Sequence, residues 1–470
     1  MSKILSSVAE AVRQSGVKDG MTISFHHHLR NGDFVLNMVL EAIAEQGIRD
    51  ITVNASSVFD VHAPLIDHIK AGVVTGIECS YMGAKVGKAI SEGLLEKPVV
   101  FRTHGGRASD IERGASHIDV AFIAAPAADA DGNCSGKYGK SACGSLGYAF
   151  ADAKCAERVV VVTDNLMEET LDDVSISGEY VDYVVQVDRI GDPAGIVSGT
   201  TTVTRDPVGL KMAQYAAQVI DASGLLKDGF SFQTGAGGAT LAAAQYVREI
   251  MLERGIRGSF GMGGITGYMV KMLEENLFET LMDVQCFDLA AVNSIRSNPR
   301  HKEISAVQYA GVGKGGSAVD RLDVVLLGAT QVDLDFNVNV HTDSNGYIMG
   351  GSGGHSDTAA GSKLCIVIAP LSRARLPLVT DRCLCVSTPG KTVDVVVTQR
   401  GIAVNTHYGK NAELKEALRK ARLPVCEIED LKALAEKLSG VPEPLTRGER
   451  VVANILYRDG TLLDTISCVH

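Results

Sequence analysis

The sequence has 470 residues, of which 45% are apolar and 50 are glycine; this is typical of a folded protein with many tight turns and too long for one ordinary core. Its net charge of −11 argues against a nucleic-acid surface, which needs a basic face, but leaves room for a phosphorylated ligand held by a few local cations. No apolar run approaches the roughly 20 residues of a membrane span, and residues 1–16 lack the apolar centre of a signal peptide. The composition therefore predicts a cytoplasmic protein that binds neither nucleic acid nor membrane.

Short apolar runs alternate with helical patterns from the N-terminus onward. Residues 1–16 form an amphipathic helical pattern, and residues 34–47 carry apolar side chains at helical spacing. The strand-like runs of the first half lie at 21–25, 50–54, 98–101, 120–125 and 158–164. This alternation predicts parallel sheets covered by helices on both faces.

The second half of the sequence repeats the first. Residues 119–133 and 323–337, which lie 204 positions apart, align without a gap and share six identical residues. The identical pairs are Asp119/Asp323, Val120/Val324, Ala125/Ala329, Asp129/Asp333, Asp131/Asp335 and Asn133/Asn337. Such self-similarity indicates two copies of one structural plan. We therefore predict an α/β fold of two tandem domains, residues 1–223 and 224–470, each with a mainly parallel sheet flanked by helices.

Two features near the C-terminus leave alternatives open. Asp459 and Gly460 separate the apolar runs 451–458 and 461–469 and predict a β-hairpin, which is either an edge or docking element or simply the end of the sheet. Cys383 and Cys385 would share one face of a strand, so a shared zinc ion is one interpretation. Buried free thiols are the favoured one, because none of the ten cysteines forms a CxxC pair.

Glycine clusters lie at or near the ends of predicted strands in the second half. They are GAGG (235–238), GMGG (261–264), GVGKGG (311–316) and GSGG (351–354). Closely spaced glycines allow successive backbone N–H groups to point at one anion. A single cluster is more often an ordinary turn, but four in one domain favour a binding site. A dinucleotide motif does not fit, because Thr240 and Thr266 stand where its third glycine belongs.

Basic side chains follow two strands of the first half. They are His26, His27, His28 and Arg30 after the first strand, and Arg102, His104 and Arg107 after the strand at 98–101. The carboxyl ends of parallel strands bind ligands, and arginine matches a carboxylate with two parallel hydrogen bonds. The residues that we predict to bind a carboxylate substrate are His26, Arg30, Arg102, His104 and Arg107. Ordinary surface residues remain the alternative for each arginine, and no metal site is expected because neighbours in a strand point to opposite faces.

Longer segments resemble known proteins. Residues 328–340 (GATQVDLDFNVNV), followed by 349–357 (MGGSGGHSD), resemble the CoA-transferase superfamily. The wider pattern covers nearly the whole chain and is similar to the citrate lyase alpha-chain family. The segments that carry it are SFHHHLRNGD (24–33), RTHGGRASDIERG (102–114), APAADADGN (125–133), SFGMGGITGYMVKMLEENLF (259–278), NSIRSNPRHKEIS (293–305) and GGSGGHSDTAAGSK (350–363). The resemblance implies two tandem CoA-transferase-like domains, in agreement with the repeat.

The resemblance also implies a reaction within an oligomeric complex. The acetyl thioester of an acyl carrier protein (the gamma subunit) exchanges acetate for citrate, and a partner beta subunit, the lyase, then cleaves the citryl thioester. The carrier holds a CoA-like prosthetic group, for which acetyl-CoA can substitute. No cofactor is expected to be bound by this chain itself.

The site residues follow from the resemblance and from the composition of the loops. The catalytic role, stabilisation of the developing oxyanion by backbone N–H groups, is assigned to Gly351, Ser352, Gly353 and Gly354. The residues expected to hold the CoA-like group are Gly263, Gly264, Lys314, His355 and Asp357. A solvated loop lysine is the alternative for Lys314. Many CoA transferases use a glutamate as first nucleophile, but residues 258–267 contain no acid, so we expect citrate itself to attack and form a mixed anhydride.

The first half carries a corresponding loop, GSLG (144–147), in which Leu146 stands where Gly353 stands in the second half. Leucine does not readily adopt positive φ, so one active site per chain is expected. A citramalate lyase alpha chain or another CoA transferase is an alternative function, because pocket shape decides between such substrates. A non-catalytic scaffold of a lyase complex is the alternative of another class, against which the intact GSGG loop argues.

Overall fold

The described part of this computed structural model consists of residues 2–197, 203–235, 237–313, 315–443 and 445–469. Lys314, predicted to contact the CoA-like group, lies outside these residues. Within them, no helix is both long enough and apolar enough to cross a membrane.

The first large sheet is formed mainly by the first half of the chain. The elements of that half are β1 (Ile4–Leu5), α1 (Val8–Gln14), β2 (Thr22–Phe25), α2 (Val35–Glu45), β3 (Ile51–Ala55), α3 (Leu65–Lys70), β4 (Val74–Cys79), α4 (Ala84–Ser91), β5 (Val99–Phe101), α5 (His104–Glu112), β6 (Val120–Ala124), β7 (Ala127–Asp129), β8 (Cys134–Ser135), α6 (Ala149–Cys155), β9 (Arg158–Thr163), β10 (Leu166–Met167), β11 (Tyr183–Gln186) and α7 (Pro207–Ala222). The sheet runs β1-β11-β9-β6-β2-β3-β4-β5, with parallel neighbours throughout this stretch. A small sheet, β10-β7-β8, lies beside it.

The second large sheet belongs to the second half. Its half contains β12 (Ser231–Thr234), α8 (Gly238–Arg254), β13 (Gly258–Ile265), α9 (Gly267–Glu274), β14 (Phe278–Cys286), α10 (Leu289–Ser297), β15 (His301–Glu303), α11 (Ala306–Ala310), β16 (Val324–Leu327), β17 (Gln331–Asp333), β18 (Val338–Asn339), α12 (His355–Gly361), β19 (Leu364–Ile368), β20 (Ser372–Arg373), β21 (Leu376–Pro377), β22 (Val379–Thr380), β23 (Val395–Val397), β24 (Ile402–Val404), α13 (Ala412–Lys420), β25 (Val425–Cys426), α14 (Ile428–Ser439), β26 (Arg447–Leu456) and β27 (Leu462–Val469). The sheet order is β15-β14-β13-β12-β16-β19-β23-β24-β25, in which β23 and β24 are antiparallel. Two smaller sheets are β18-β17-β22 and β20-β21.

The predicted α/β class is confirmed, and the apolar runs explain it. Strands β6 and β19 are buried along their whole length, as expected for parallel strands covered by helices on both faces. The five predicted strands of the first half all form, each within one or two residues of its predicted ends. The N-terminal prediction is partly wrong, because residues 4–5 form a strand beside β11 and the helix starts only at Val8.

The repeat seen in the sequence is a repeat of structure. The order β11-β9-β6-β2-β3-β4-β5 in the first sheet corresponds to β23-β19-β16-β12-β13-β14-β15 in the second. The shared aspartates make the same hydrogen bonds: Oδ1 of Asp129 accepts from the backbone N–H of Asn133 at 3.0 Å, and Oδ1 of Asp333 accepts from that of Asn337 at 2.9 Å. The identical residues therefore maintain one turn that occurs twice.

The C-terminal hairpin, which belongs to the second half in sequence, joins the sheet of the first half. Strand β26 pairs in parallel with β5, and β27 pairs with β26, so residues 447–469 extend the first sheet to ten strands. The hairpin thus docks on the half of the chain that is distant in sequence. Its apolar face supplies Val452, Ala453 and Ile455 to the buried core, which accounts for the docking.

Candidate active site

A cleft between the two halves contains two adjoining cavities. The first, here the histidine cavity, has a volume of about 400 Å³. Its lining consists of His27, Arg30, Asn31, Ser57, Phe59, Asp60, Tyr81, Gly83, His104, Gln285, Phe287 and Gly353. The second, here the glycine cavity, has a volume of about 310 Å³. Its lining consists of His104, Tyr148, Gln233, Thr234, Gly235, Gly264, Phe287, Tyr309, Leu327, Gly328, Val340, Gly351, Ser352, Gly354 and His355.

The predicted catalytic loop, residues 351–354, lies at the junction of these cavities. Gly353 adopts φ +50°, and its carbonyl accepts a hydrogen bond from the backbone N–H of His104 at 2.8 Å. A side chain on Gly351 would collide with the carbonyl of Ser80, and one on Gly354 would collide with the Tyr309 hydroxyl. The glycines are thus required by close contacts that bind the loop to both halves of the chain.

Two of the four backbone N–H groups of the predicted catalytic loop are already bonded within the protein. The N–H of Gly353 donates to the carbonyl of Ser80 at 3.0 Å, and the N–H of Ser352 donates to Nε2 of His341 at 3.3 Å. The N–H groups of Gly351 and Gly354 have no acceptor in the described part of the chain. Two backbone donors of the loop therefore remain available, and the other two hold the loop in place.

The predicted histidines are buried and neutral rather than cationic. Burial lowers the pKa of His104 to about 3 and that of His26 to about 4. His104 and His27 stack with ring centroids 5.5 Å apart, and both line the histidine cavity. His26 lies behind them and contacts His28. His104 can therefore accept or donate a hydrogen bond in the cleft, but at neutral pH it carries no charge for a carboxylate.

Of the three arginines predicted to bind the substrate, Arg30 is the one that lines the cleft. Its guanidinium lies 4.6 Å from the Phe287 ring centroid and 5.6 Å from that of Phe59, so aromatic faces hold it from both halves of the chain. The residue is 8% exposed and takes φ +50°, which is unusual for a non-glycine residue. Burial lowers its pKa, yet arginine remains protonated at neutral pH. Arg30 therefore supplies positive charge to the histidine cavity.

Arg102 and Arg107 do not line either cavity, which corrects their predicted role. Arg107 is 3% exposed and donates to Oδ1 of Asn54 at 2.7 Å and to Oδ1 of Asp152 at 2.9 Å. Arg102 pairs with Glu78 at 2.6 Å and with Asp110 at 2.9 Å. Both guanidinium groups are thus paired with carboxylates of the first half and stabilise the structure there.

Among the described residues predicted to hold the CoA-like group, His355 lines the glycine cavity and Asp357 does not. His355 bonds to the hydroxyl of Thr388 and to the carbonyl of Gly328, each at 2.8 Å, and burial lowers its pKa to about 4.

Asp357 is fully buried and accepts from the Thr103 hydroxyl at 2.8 Å and the Gly105 N–H at 2.9 Å. Asp357, which was predicted to hold the CoA-like group, instead joins α12 of the second half to the start of α5, where His104 lies.

Two positions in the stretch where a glutamate nucleophile was considered, Gly263 and Gly264, have neighbouring side chains in the space that a Cβ would occupy. Gly263 takes φ +99° at a bulge between β13 and β14, and a Cβ there would lie 2.8 Å from Cδ of Gln233. A side chain at Gly264 would collide with the Phe287 ring. No glutamate lines either cavity; the single carboxylate among their lining residues is Asp60.

Comparison with known proteins decides the family. The family model "Citrate lyase, alpha subunit (CitF)" matches residues 1–469. The citrate lyase alpha chain of Klebsiella pneumoniae is 49% identical over 464 residues, which is 99% of this chain and 91% of that protein. This chain belongs to the citrate lyase alpha-subunit family.

Solved structures agree with this citrate lyase alpha-subunit assignment. A Streptococcus mutans protein, solved in complex with citrate and assigned as the alpha subunit of citrate lyase, is 50% identical with a TM-score of 0.97, covering 100% of this chain and 92% of that one. A 4-hydroxybutyrate CoA-transferase from Porphyromonas gingivalis has a TM-score of 0.59 at 16% identity, covering 93% of this chain and 97% of that one. The second likeness concerns the fold alone, and it confirms the predicted CoA-transferase-like architecture.

The first-half loop of this citrate lyase alpha-family chain has become part of the contact between the halves. Leu146 is fully buried, and its N–H donates to Oε1 of Glu303 at 2.6 Å. The Ser145 hydroxyl donates to the carbonyl of Asp283 at 2.9 Å. The loop thus bonds to protein where the GSGG loop leaves donors unpaired, which fits the expectation of one site per chain.

Several cleft residues of the alpha-family chain were not found from the sequence. Gln233 precedes the GAGG cluster by two positions, and a single glutamine beside a glycine cluster belongs to no recognised motif. Tyr309 and Phe287 come from segments without a recognised motif. The three residues are distant in sequence: Gln233 lies in β12, Phe287 follows β14, and Tyr309 lies in α11.

Side chains that could ligate a metal ion gather at one place in the described ranges. His117, Asp119 and Glu157 offer ligand atoms within 4.8 Å of one another. His117 and Glu157 are well exposed, and Asp119 and Glu157 precede β6 and β9, so the group lies at the end of the sheet opposite the cleft. Cys383 and Cys385 are buried thiols hydrogen-bonded to separate oxygens, and burial raises the pKa of Cys385 to about 12.

Proposed function

We propose that this chain is the acyl-transfer subunit of a citrate lyase: it exchanges acetate for citrate on the acetyl thioester of a carrier protein, giving the citryl thioester and acetate. The observation that supports this most strongly is the pairing of two cavities. One offers a buried arginine for a polycarboxylate, and the other offers unpaired backbone donors for a carbonyl oxygen.

Citrate would occupy the histidine cavity, with one carboxylate near Arg30. A guanidinium in an aromatic, water-poor setting attracts a carboxylate more strongly than one in water. The neutral imidazoles of His27 and His104 can hydrogen-bond citrate's hydroxyl or carboxyl groups without adding charge. A second citrate carboxylate would remain free to attack.

The thioester carbonyl would lie in the glycine cavity beside Gly351 and Gly354. As a citrate carboxylate oxygen bonds to the acetyl carbon, the carbonyl oxygen becomes negative, and the two N–H groups stabilise it. The C–S bond then breaks, the electron pair leaves on the thiolate, and an acetyl–citryl anhydride remains. The thiolate attacks the citryl carbonyl of that anhydride, and acetate leaves with the bridging oxygen.

The absence of a glutamate from the cavity linings supports direct attack by citrate. Glu253 and Glu274, the acids nearest in sequence to the glycine stretch, are exposed on α8 and α9. No resident cofactor is required by this scheme, because the CoA-like group arrives with the carrier. We further propose that the chain works in the cytoplasm beside a lyase beta subunit and a carrier gamma subunit, within an oligomer.

The test uses the purified chain with acetyl-CoA in place of the carrier. Citrate and acetyl-CoA should give citryl-CoA and acetate in equal amounts, without oxaloacetate. Formation of oxaloacetate by the isolated chain, or failure to form citryl-CoA, would contradict the assignment. The second outcome would favour the scaffold alternative.

A further inference from the structure

Gln233 presents a buried amide group to the glycine cavity. It lies in β12 and is only 8% exposed. Its Nε2 is 3.0 Å from the Tyr309 hydroxyl, whereas its Oε1 is buried without a partner in the described ranges. A buried polar atom without a partner is uncommon in native proteins, and in the lining of a cavity it is a candidate for a hydrogen bond to a bound molecule.

The chemistry of the pair shows which end of the amide faces the cavity. A tyrosine hydroxyl carries one proton to donate, and the Tyr309 proton has no acceptor among the described residues. Turning the carboxamide end for end satisfies it, because the hydroxyl then donates to Oε1 of Gln233. The NH₂ group is left without a protein acceptor, as a hydrogen-bond donor directed at a bound molecule.

The backbone at Gly263 packs directly against the Gln233 carboxamide. A Cβ at Gly263 would lie between 2.8 and 3.0 Å from Cδ, Oε1 and Nε2 of Gln233, so any side chain there would displace it. Gly263 reaches φ +99° at a bulge, a conformation that suits glycine. The carboxamide thus occupies the space that a nucleophilic side chain on β13 would need.

We propose that Gln233 is a catalytic residue whose carboxamide donates a hydrogen bond to the reacting carbonyl oxygen of the thioester, together with the N–H groups of Gly351 and Gly354. The proposal rests on the proposed function and adds a third donor to it. Gln233 lines the same cavity as both glycines. Tyr309 joins them physically, since its hydroxyl contacts the amide and blocks any side chain on Gly354.

The first experiment compares Gln233→Leu and Tyr309→Phe with the wild-type chain in the acetyl-CoA and citrate exchange assay. Loss of one oxyanion donor lowers kcat by about 100-fold or more, so Gln233→Leu should lose that much while both KM values change less than about threefold. Tyr309→Phe keeps the amide and removes only its anchor, so its kcat should fall by at most about tenfold. Equal losses in the two variants would show that Gln233 merely holds Tyr309, and would overturn the proposal.

A matched variant, Gln233→Glu, provides a pH signature. A buried glutamic acid has a raised pKa and donates a hydrogen bond only while protonated. The kcat of this variant should therefore rise as the pH falls through that pKa, whereas the wild-type chain should show no such rise. A pH profile parallel to that of the wild type would contradict a donor role.

The carbonyl stretch of bound acetyl-CoA, ¹³C-labelled at the carbonyl, tests the contact without turnover. Hydrogen bonds to the carbonyl oxygen lower this frequency, so the wild-type chain should shift it down, and Gln233→Leu should reverse part of the shift. If the wild-type chain fails to exchange acyl groups but shows this Gln233-dependent shift, the proposed function fails and the donor role stands. If exchange occurs and the shift does not depend on Gln233, the donor role fails alone.

Discussion

Replacing Gly353 by leucine tests whether the GSGG loop does more than connect a strand to a helix. Gly353 takes φ +50°, a region that costs a residue with a side chain about 1–2 kcal/mol. Its Cβ would lie 3.3 Å from Nε2 of His104, so the rest of a leucine side chain would enter the space of that imidazole. We expect a folded variant with kcat at least 100-fold lower, which corresponds to about 2.7 kcal/mol in the activation free energy.

The matched control is Gly409→Leu. Gly409 also has a left-handed conformation, with φ +69°, but a Cβ there meets nothing within 4 Å. It should therefore show the same backbone strain, visible as a Tm a few degrees lower, with kcat unchanged. Both variants are measured for citryl-CoA formation and for thermal unfolding. Near wild-type kcat in a normally folded Gly353→Leu variant would show that the loop is only a turn.

Three further results follow from the cleft and its surroundings. Arg30→Ala should raise the KM for citrate about ten- to hundredfold with little change in that for acetyl-CoA, since a lost charged hydrogen bond costs about 1.5–3 kcal/mol. Arg107→Ala should instead lower the free energy of unfolding by about 3–5 kcal/mol, because it leaves Asp152 buried without its partner. Stability should fall between pH 6.5 and about 3: burial lowers the folded pKa values of His104 and His341 to about 3, so the stability present above pH 6.5 is lost as the pH falls.

Each of these results has an outcome that would contradict it. If Arg30→Ala raised the KM values for citrate and acetyl-CoA equally, Arg30 would not be a citrate-binding residue. If Arg107→Ala left the Tm unchanged, Arg107 would not be required for stability. At pH 5, each histidine that burial keeps neutral lowers the free energy of unfolding by roughly 2 kcal/mol relative to its value above pH 6.5. Burial raises the pKa values of Asp152 and Asp357 to about 6, so their protonation stabilises the folded protein as the pH falls. Each offsets roughly 1 kcal/mol of the loss caused by the histidines. A Tm that rises from pH 7 to pH 5 would show that the histidines are not held neutral.

The fold could be predicted from the sequence because its signals are local or repeated. Apolar runs such as residues 158–164 are strands buried on both faces, and no other element suits them. The Asp129 and Asp333 turns could be matched because their hydrogen bonds lie within four residues. Pairing of residues 447–469 with β5 could not be predicted, because the sequence of an amphipathic hairpin does not indicate which sheet edge it pairs with.

The site was harder to predict because it depends on partners distant in sequence. Arg107 and Arg30 both follow strand ends, but Arg107 is paired with Asp152 and donates to Asn54, while Arg30 lies against aromatic rings in the cleft. Charge alone does not distinguish them. Gln233 is a neutral residue in a strand, and its role becomes visible only when Oε1 is found buried without a partner.

The most direct test of direct attack by citrate is a single-turnover reaction with excess enzyme, acetyl-CoA and citrate labelled with ¹⁸O in its carboxylates. In the proposed mechanism the bridging oxygen of the anhydride comes from citrate and leaves with acetate. Acetate from the first turnover should therefore contain one ¹⁸O atom, and the protein should carry no CoA adduct. Unlabelled acetate in the first turnover would show that an enzyme carboxylate attacks first, and would contradict the account.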